Sequence, residues 1–237
     1  MESLSRAVGA QPHDIPHIQA VVRQRGFVLS TVMFIGAAAL IVASIFFPYW
    51  QMRLNAPQYP KGLYLTVYID HLQGDIREID GLNHYIGMAK LADAARIERE
   101  LAPVAMASIV LMIIGTAFIH RKWFAPLVLP AMFMPLVFLG DMYYWLRRYG
   151  QGLDPNAALS NAVKPFTPTL LGHGTIGQFS TDAKVLSGFW MAVVASVLIN
   201  VGLHYRRQAR RAAERELQAA SPAAATVGQP PASAFHR

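Results

Sequence analysis

Four stretches without a charged residue constrain this chain more than any other feature of its sequence. They cover residues 27–50, 101–119, 123–140 and 185–203. A helix of about 20 apolar residues, rising 1.5 Å per residue, is long enough to cross the hydrocarbon of a bilayer. Because that hydrocarbon holds no water, a backbone that crosses it has to satisfy its own hydrogen bonds, as a helix does. The sequence therefore predicts four transmembrane helices.

The composition agrees with a membrane protein and argues against other classes. Charged residues make up only 15% of the chain and hydrophobic residues 54%, whereas a soluble domain carries about 25% charged residues. The chain has no cysteine, which excludes disulfides, thiolate zinc sites and Cys-ligated iron–sulfur clusters. The composition thus argues against a soluble enzyme.

The distribution of lysine and arginine predicts the orientation. Basic residues lie before the first stretch, between the second and third, and after the fourth: Arg6, Arg23, Arg25, Arg121, Lys122, Arg206, Arg207, Arg210, Arg211 and Arg215. Such residues flank the cytoplasmic ends of membrane helices and contact anionic lipid. We therefore expect a multi-pass protein of the bacterial inner membrane with both termini in the cytoplasm. The net charge of +7 then needs no nucleic-acid partner.

The expected fold class is an all-α membrane protein of four helices with a small α+β cap outside the cytoplasm. The predicted segments are a cytoplasmic N-terminus (1–26), spans at 27–50, 101–119, 123–146 and 185–205, outer segments 51–100 and 147–184, and a basic flank with a disordered tail (206–237). Pro126, Pro130 and Pro135 predict that the third span is kinked, with a re-entrant segment as the alternative. Within 51–100, a β-branched and aromatic run at 62–69 predicts a strand, paired with a strand or turn at 74–79. Residues 82–101 are predicted to form a helix.

His84 and Met88 are the first candidates for outward-facing chemistry. On a helix, residues four apart share one face, and an imidazole with a thioether is a soft donor pair suited to Cu(I). His71 and His173 are further candidate ligands on the same side of the membrane. The alternative is ordinary: His84 forms hydrogen bonds near a helix end and Met88 fills core space.

Asp141 ends the third uncharged stretch. Ionisable groups at membrane depth are functional candidates, but pairing with Arg147 or Arg53 is the favoured interpretation. His120 and His204 lie at the cytoplasmic ends of two spans, and anchoring at the interface is favoured there over haem ligation. Met132 and Met134 would serve a copper conduit only if donors from several helices converged.

The motif G-x-G-x-x-G at 172–177 is rejected as a dinucleotide site. That motif needs a preceding strand and a following helix, and this copy lies in an outer segment after two prolines. In the fourth span Gly188, Ala192 and Ser196 form a row of small residues, which allows close helix packing within the bundle or against a partner.

One stretch resembles a known family. Gly81-Leu82-Asn83-His84-Tyr85-Ile86-Gly87-Met88 is similar to the outer-loop Leu-Asn-His-Tyr-Ile-Gly-Met stretch of a small family of bacterial inner-membrane proteins. A second similarity runs from Pro165-Phe166-Thr167-Pro168 to Gly188, and here the chain departs from other members, which have Asn-Phe where it has Gln178-Phe179. The family occurs in gene neighbourhoods for copper handling and nitrous-oxide reductase maturation. The resemblance implies that His84 and Met88 are the residues to test.

These observations lead to two hypotheses. In the first, the chain is a non-enzymatic accessory protein in membrane lipid that binds copper on its outer side and supplies or helps mature a copper enzyme. In the second, it is a structural or assembly subunit of a larger membrane complex without its own metal. A transporter ranks third, because the spans offer little polar lining. An integral redox enzyme ranks last.

Overall fold

The computed structural model describes residues 16–119, 121–159, 161–176 and 179–227. In these ranges the chain is mostly helical, with a small antiparallel sheet and four helices long and apolar enough to cross a membrane. The expectation of four apolar helices joined to a small cap that contains strands is therefore confirmed. The helices and strands lie in this order: α1 Pro16–Ser44, β1 Trp50–Ala56, β2 Tyr59–Val67, β3 Leu72–Gly74, α2 Ile76–Ile86, α3 Arg96–Phe118, α4 Leu129–Gln151, β4 Gly172–Ile176, β5 Phe179–Val185 and α5 Ser187–Val227.

The first apolar stretch is divided between two kinds of structure. Helix α1 ends at Ser44, a turn follows over 45–47, and strand β1 begins at Trp50. The prediction of a continuous span over 27–50 is therefore wrong at its end. Apolar residues of a buried strand extend the run of a preceding helix, and hydropathy alone does not separate the two.

The third apolar stretch contains two helical segments. A 3-10 helix covers Lys122–Val128 and includes Pro126, and α4 begins directly after it. Pro130 lies in the first turn of α4, where a missing N–H costs nothing, and Pro135 lies inside the helix. Helix α4 extends past the predicted end at residue 146 to Gln151.

The five strands form one antiparallel sheet in the order β3-β2-β1-β5-β4. The strand predicted at 62–69 corresponds to β2. Its partner is the short β3, which pairs Leu65 with Gly74, so the partner predicted at 74–79 is displaced, and most of that stretch belongs to α2. Strands β1, β4 and β5 were not predicted. Strand β1 lies at the centre and pairs with β2 on one side and β5 on the other.

One face of the sheet is apolar and the other is polar. Trp50 and Met52 of β1 alternate with Gln51 and Arg53, and the first pair is buried in the core of the cap. This core also contains residues of β2, α2, β5 and α4: Leu63, Leu65, Val67, Ile79, Phe138, Met142, Leu146 and Ala183. The apolar face of the sheet therefore packs on α2 and on the second half of α4.

The helix predicted over 82–101 is wrong. Helix α2 ends at Ile86, a short 3-10 helix covers Leu91–Asp93, and α3 begins at Arg96. The C-terminal prediction also differs from the structure, because α5 continues past Gln218 to Val227. Residues 228–237 of the predicted tail lie outside the described part.

The chain divides into two compact units. The larger comprises residues 34–199 and contains the sheet, α2, α3 and α4. The smaller comprises residues 1–33 and 200–237. Within the smaller unit, Gly26 packs against Ala209, and the buried Arg206 donates a hydrogen bond from Nε to the Ser30 hydroxyl over 3.2 Å.

Candidate functional site

The conspicuous segment around His84 forms the end of helix α2. Gly87 adopts a left-handed conformation with φ of +79°. Its N–H donates to the carbonyl of His84 over 3.4 Å, and the N–H of Met88 donates to the carbonyl of Asn83 over 2.8 Å. This pair of bonds is a Schellman motif, a common way to satisfy the last carbonyls of a helix. The sequence Asn-His-Tyr-Ile-Gly-Met is thus a helix stop.

The helix stop also holds the segment that follows α4. The N–H of Asp154 donates to the carbonyl of Gly87 over 2.8 Å, and the N–H of Leu159 donates to the carbonyl of Tyr85 over 2.9 Å. A Cβ atom on Gly87 would lie 2.6 Å from the carbonyl oxygen of Asp154. Only glycine allows this approach of the two backbones at a positive φ.

The helix stop separates His84 from Met88. His84 lies in α2 with its side chain exposed, whereas Met88 lies beyond the helix, is partly buried and lines a cavity beneath the sheet. The prediction that the two share a helix face is therefore wrong, since the helix ends between them.

The two other candidate histidines lie at opposite edges of the sheet. His71 precedes β3, stacks on Tyr68 and lies 2.6 Å from the carboxylate of Asp70 through Nδ1. His173 lies on β4, with Nδ1 2.9 Å from the carboxylate of Asp182. Three strands separate these edges, about 19 Å at a strand spacing of about 4.8 Å, so one ion cannot bind both. Across the described ranges, no group of three or more His, Asp or Glu side chains could hold a metal.

A cavity of about 350 Å³ lies beneath the apolar face of the sheet. Its walls come from β1 and β2, the segment 88–95, the first half of α3 and the second half of α4. All of these elements belong to the larger unit. The wall is almost entirely apolar, with a few polar groups that include Asp141, Trp145 and Tyr149. A concave, mostly apolar space with a few polar groups is the usual form of a small-ligand site.

Four methionines line this cavity. Met88 follows α2, Met106 lies on α3, and Met134 and Met142 lie on α4. Four of the ten methionines of the chain thus line one space. Met132, grouped with Met134 in the sequence, does not line it. Sequence spacing could not reveal this cluster, because its members come from three separate elements.

Asp141 lies at the wall of the cavity. Within the described part of the chain, the ion pair predicted between Asp141 and Arg147 or Arg53 is not formed. Arg53 instead donates to the carbonyl of Lys61 over 3.2 Å and lies over the ring of Tyr64. Asp141 and Trp145 are one helical turn apart on α4 and face the same space.

The row of small residues in α5 packs against the chain itself. A Cβ on Gly188 would lie 2.5 Å from the carbonyl oxygen of Phe47 and 2.7 Å from the ring of Tyr49. Ala192 is fully buried, and the hydroxyl of Ser196 donates to the carbonyl of Ala131 over 3.4 Å. This row is therefore not available as a free docking face, which removes one of the two observations behind the assembly-subunit hypothesis. The other, the scarcity of polar groups within the spans, is unaffected.

Tyr49, packed against this row, makes stability depend on pH. Its hydroxyl is 2.7 Å from the Ser44 hydroxyl, which donates to the carbonyl of Ile41 and so accepts from Tyr49. Burial raises the pKa of Tyr49 from 10.0 to about 12, with the bond to Ser44 a smaller, opposing effect. Because the folded-state pKa lies above the unfolded value, this contribution is fully present below pH 10 and is lost between pH 10 and 12.

We therefore expect the free energy of unfolding to fall by about 2–3 kcal/mol over that window through Tyr49. Denaturant unfolding of wild type and Tyr49→Phe across the same pH range measures it. The wild type should lose about 2–3 kcal/mol relative to Tyr49→Phe as the pH rises from 10 to 12. Parallel curves would contradict the assigned burial.

The glycine motif and the two histidines at the span ends remain without a ligand-binding role. Residues Gly172–Ile176 of the glycine motif form strand β4, Gly177 lies outside the described part, and no helix follows directly, because β5 comes next. His204 is exposed and bonds to Gln208 over 2.9 Å. His120 lies outside the described residues.

Comparison with known proteins does not assign the chain to a family. No protein-family model matches the chain, and no curated protein is significantly similar to it in sequence.

Proposed function

We propose that this chain is an accessory protein of the bacterial inner membrane that holds Cu(I) on the outer side and supplies or helps mature a copper enzyme, such as nitrous-oxide reductase. The observation that carries the proposal is that Met88, Met106, Met134 and Met142 line one cavity. The resemblance of the segment 81–88 to the copper-associated family supports it independently. Met88 is the residue that the two arguments share.

The chemistry of the wall suits this ion. Thioethers are soft donors that favour Cu(I) over harder divalent metals. Met106 is 2% exposed and Met134 6%, so two of the donors are shielded from water. An apolar shell around a metal controls solvent access and redox behaviour, which favours retention of the reduced ion. In this proposal the ligands are methionines, and the exposed His84 is not one of them.

The proposed orientation places this site on the outer side. In the topology predicted from the sequence, the basic residues and the segments 51–100 and 147–184 fall on opposite sides of the spans, and the positive-inside rule puts the basic residues in the cytoplasm. The sheet, the end of α2 and the mouth of the cavity would then face the compartment in which the copper enzyme matures.

Competitive titration with Cu(I) and a chromophoric chelator tests the proposal. The purified full-length protein is compared with Met88→Leu/Met142→Leu, a change that removes two sulfurs and nearly conserves volume. The matched control is Met112→Leu/Met132→Leu, because these two partly buried methionines do not line the cavity. We expect one tight equivalent in the wild type and control, and at least a tenfold loss of affinity in the first variant.

His84→Ala separates the two possible ligand sets. Unchanged affinity is expected, because His84 lies outside the cavity wall. Loss of binding in His84→Ala, with retention in the double methionine variant, would overturn the methionine site and restore the His84–Met88 pair. Absence of Cu(I) binding by folded wild-type protein would overturn the copper function.

A further inference from the structure

The polar face of the sheet carries a second cavity, of about 430 Å³, that the copper proposal does not use. Its lining follows from the strand register. Arg53 on β1 lies opposite Tyr64 on β2 and opposite Asp182 on β5, and Asp182 lies opposite His173 on β4. Lys184 lies two residues along β5 from Asp182, on the same face of the sheet. Residues from four strands thus line one polar space within the larger unit.

The carboxylate that lines this space, Asp182, already has hydrogen-bond partners. Its Oδ1 accepts from Nδ1 of His173 over 2.9 Å, and its Oδ2 accepts from the side-chain amide of Asn55 over 3.1 Å. The bond from His173 holds the pKa of Asp182 below its usual range, so the group is ionised. Both of its oxygens are therefore occupied without the use of a lysine or an arginine.

Two cations line the same space without an ion pair. Arg53 lies 5.6 Å from the centre of the Tyr64 ring and donates from Nη2 to the carbonyl of Lys61, and Lys184 is exposed. Among the residues that the structure describes, neither cation forms an ion pair with a carboxylate. With Asp182 ionised and His173 neutral, the lining carries one more positive than negative charge, which favours an anionic ligand.

This pocket lies at the end of the sheet that joins two of the apolar helices. Lys184 precedes the start of α5 at Ser187 by three residues, at most about 11 Å of extended chain. Gln51 lies opposite Lys184 and follows the end of α1 at Ser44 by seven residues. Both helices are long and apolar enough to cross a membrane. The pocket is therefore close to the level at which the headgroups of a bilayer crossed by these helices would lie.

Exposed aromatic residues mark the same level. The N–H of Gly188 donates to the carbonyl of Pro48 over 2.9 Å, which fixes the start of α5 beside the turn that leads into β1. Trp190 in the first turn of α5 is 56% exposed, and Phe46 in that turn is 75% exposed. A tryptophan exposed at the end of a membrane helix is typical of the boundary between hydrocarbon and headgroups.

We propose that this pocket binds the phosphate of an anionic phospholipid headgroup between Arg53 and Lys184. A guanidinium binds phosphate oxygens through paired N–H groups, and an ammonium binds them as a point charge. Gln51 and Tyr64 line the same space and can bond to the hydroxyl groups of a glycerol headgroup. A zwitterionic headgroup would bring its own ammonium toward the two cations, so an anionic lipid is preferred.

Photo-crosslinking of the full-length protein in phosphatidylcholine nanodiscs tests the proposal. The probe is a small proportion of phosphatidylglycerol with a diazirine on its headgroup, and the matched probe is phosphatidylcholine with the same diazirine. We expect crosslinks within residues 50–55 or 180–186, at least tenfold more abundant for the glycerol lipid. Equal yields from the two probes, or crosslinks confined to the basic segment 206–215, would overturn the site.

Inorganic phosphate distinguishes a lipid from a soluble ligand. At a concentration similar to that of the probe, it should leave the crosslinks at β1 and β5 unchanged, because it lacks the lipid's hold in the bilayer. Loss of these crosslinks would overturn the lipid assignment and identify a soluble phosphate as the ligand. These measurements use the wild type and do not depend on whether a variant folds.

Substitutions locate the phosphate. Each basic residue near an anionic surface contributes about fivefold in affinity, so Lys184→Gln should lower the yield about fivefold and Arg53→Gln/Lys184→Gln at least tenfold. Arg77→Gln/Lys164→Gln is the matched control, because it removes the same charges from exposed positions outside the pocket. A yield retained in the first double variant, or lost equally in the control, would contradict the assigned position. None of these changes removes a thioether, so the lipid site can fail while the copper site stands.

Discussion

Replacement of Gly87 by alanine is expected to lower the free energy of unfolding of the cap by about 2–4 kcal/mol. The left-handed conformation costs a residue with a Cβ about 1–2 kcal/mol, and φ at Gly87 is +79°. The new Cβ would also lie 2.6 Å and 2.8 Å from backbone atoms of Asp154, which cannot move without breaking the bond from Asp154 N–H to the Gly87 carbonyl. Chemical denaturation in detergent measures the loss.

Gly81→Ala is the matched control for this substitution. Gly81 lies inside α2, and a Cβ there would meet no atom within 4 Å. Alanine should stabilise that position by about 0.5–1 kcal/mol, because glycine is a poor helix former. Hydrogen exchange should further show that residues 152–163 lose protection only in Gly87→Ala. Equal stability of the two variants would contradict the proposed role of Gly87 as helix stop and loop anchor.

Trp50→Ala is expected to destabilise the cap by about 3–5 kcal/mol, the usual cost of truncating a buried large aromatic side chain. Trp50 is fully buried at the centre of the core beneath the sheet, and its Nε1 donates to the carbonyl of Leu170 over 2.7 Å. The substitution leaves a cavity next to Met52 and removes the hydrogen bond to the Leu170 carbonyl.

Trp123→Ala provides the comparison, because Trp123 is 89% exposed and its loss leaves no internal cavity. We expect a change below about 1 kcal/mol for it in the same denaturation experiment. Trp50→Phe should give an intermediate result, since it keeps most of the packing and loses the hydrogen bond. A Trp50→Ala protein as stable as Trp123→Ala would show that the core described beneath the sheet does not hold the cap together.

The four apolar helices could be predicted because their signal is long and continuous. The strands were harder to predict, because their sequence patterns are short and adjoin the longer apolar runs of the helices. Trp50 belongs to β1, but in the sequence it extends the apolar run of α1. The alternation of Trp50, Met52 and Leu54 with polar residues was the signal that could have separated the strand from the helix. Strand β5 has the same alternation at Thr181 and Ala183.

The candidate site was only partly predictable. Met88 was identified as a candidate ligand, but on the assumption that it shares a helix face with His84. The helix ends at Gly87, between the two residues. A glycine after the last apolar residue of a helix is the sequence signal for such an end. His71 and His173 share a side of the predicted topology, yet the order of the strands places them at opposite edges of the sheet. The cavity depends on how α3, α4 and the sheet pack, and no local pattern in the sequence specifies that packing.

X-ray absorption spectroscopy at the copper edge of the Cu(I)-loaded wild-type protein tests the central claim most directly. A methionine site predicts a first shell made of sulfur, with no multiple scattering from an imidazole ring, and loss of sulfur scattering in Met88→Leu/Met142→Leu. A first shell of nitrogen or oxygen with the signature of a coordinated imidazole would contradict the claim, because no histidine lines the cavity.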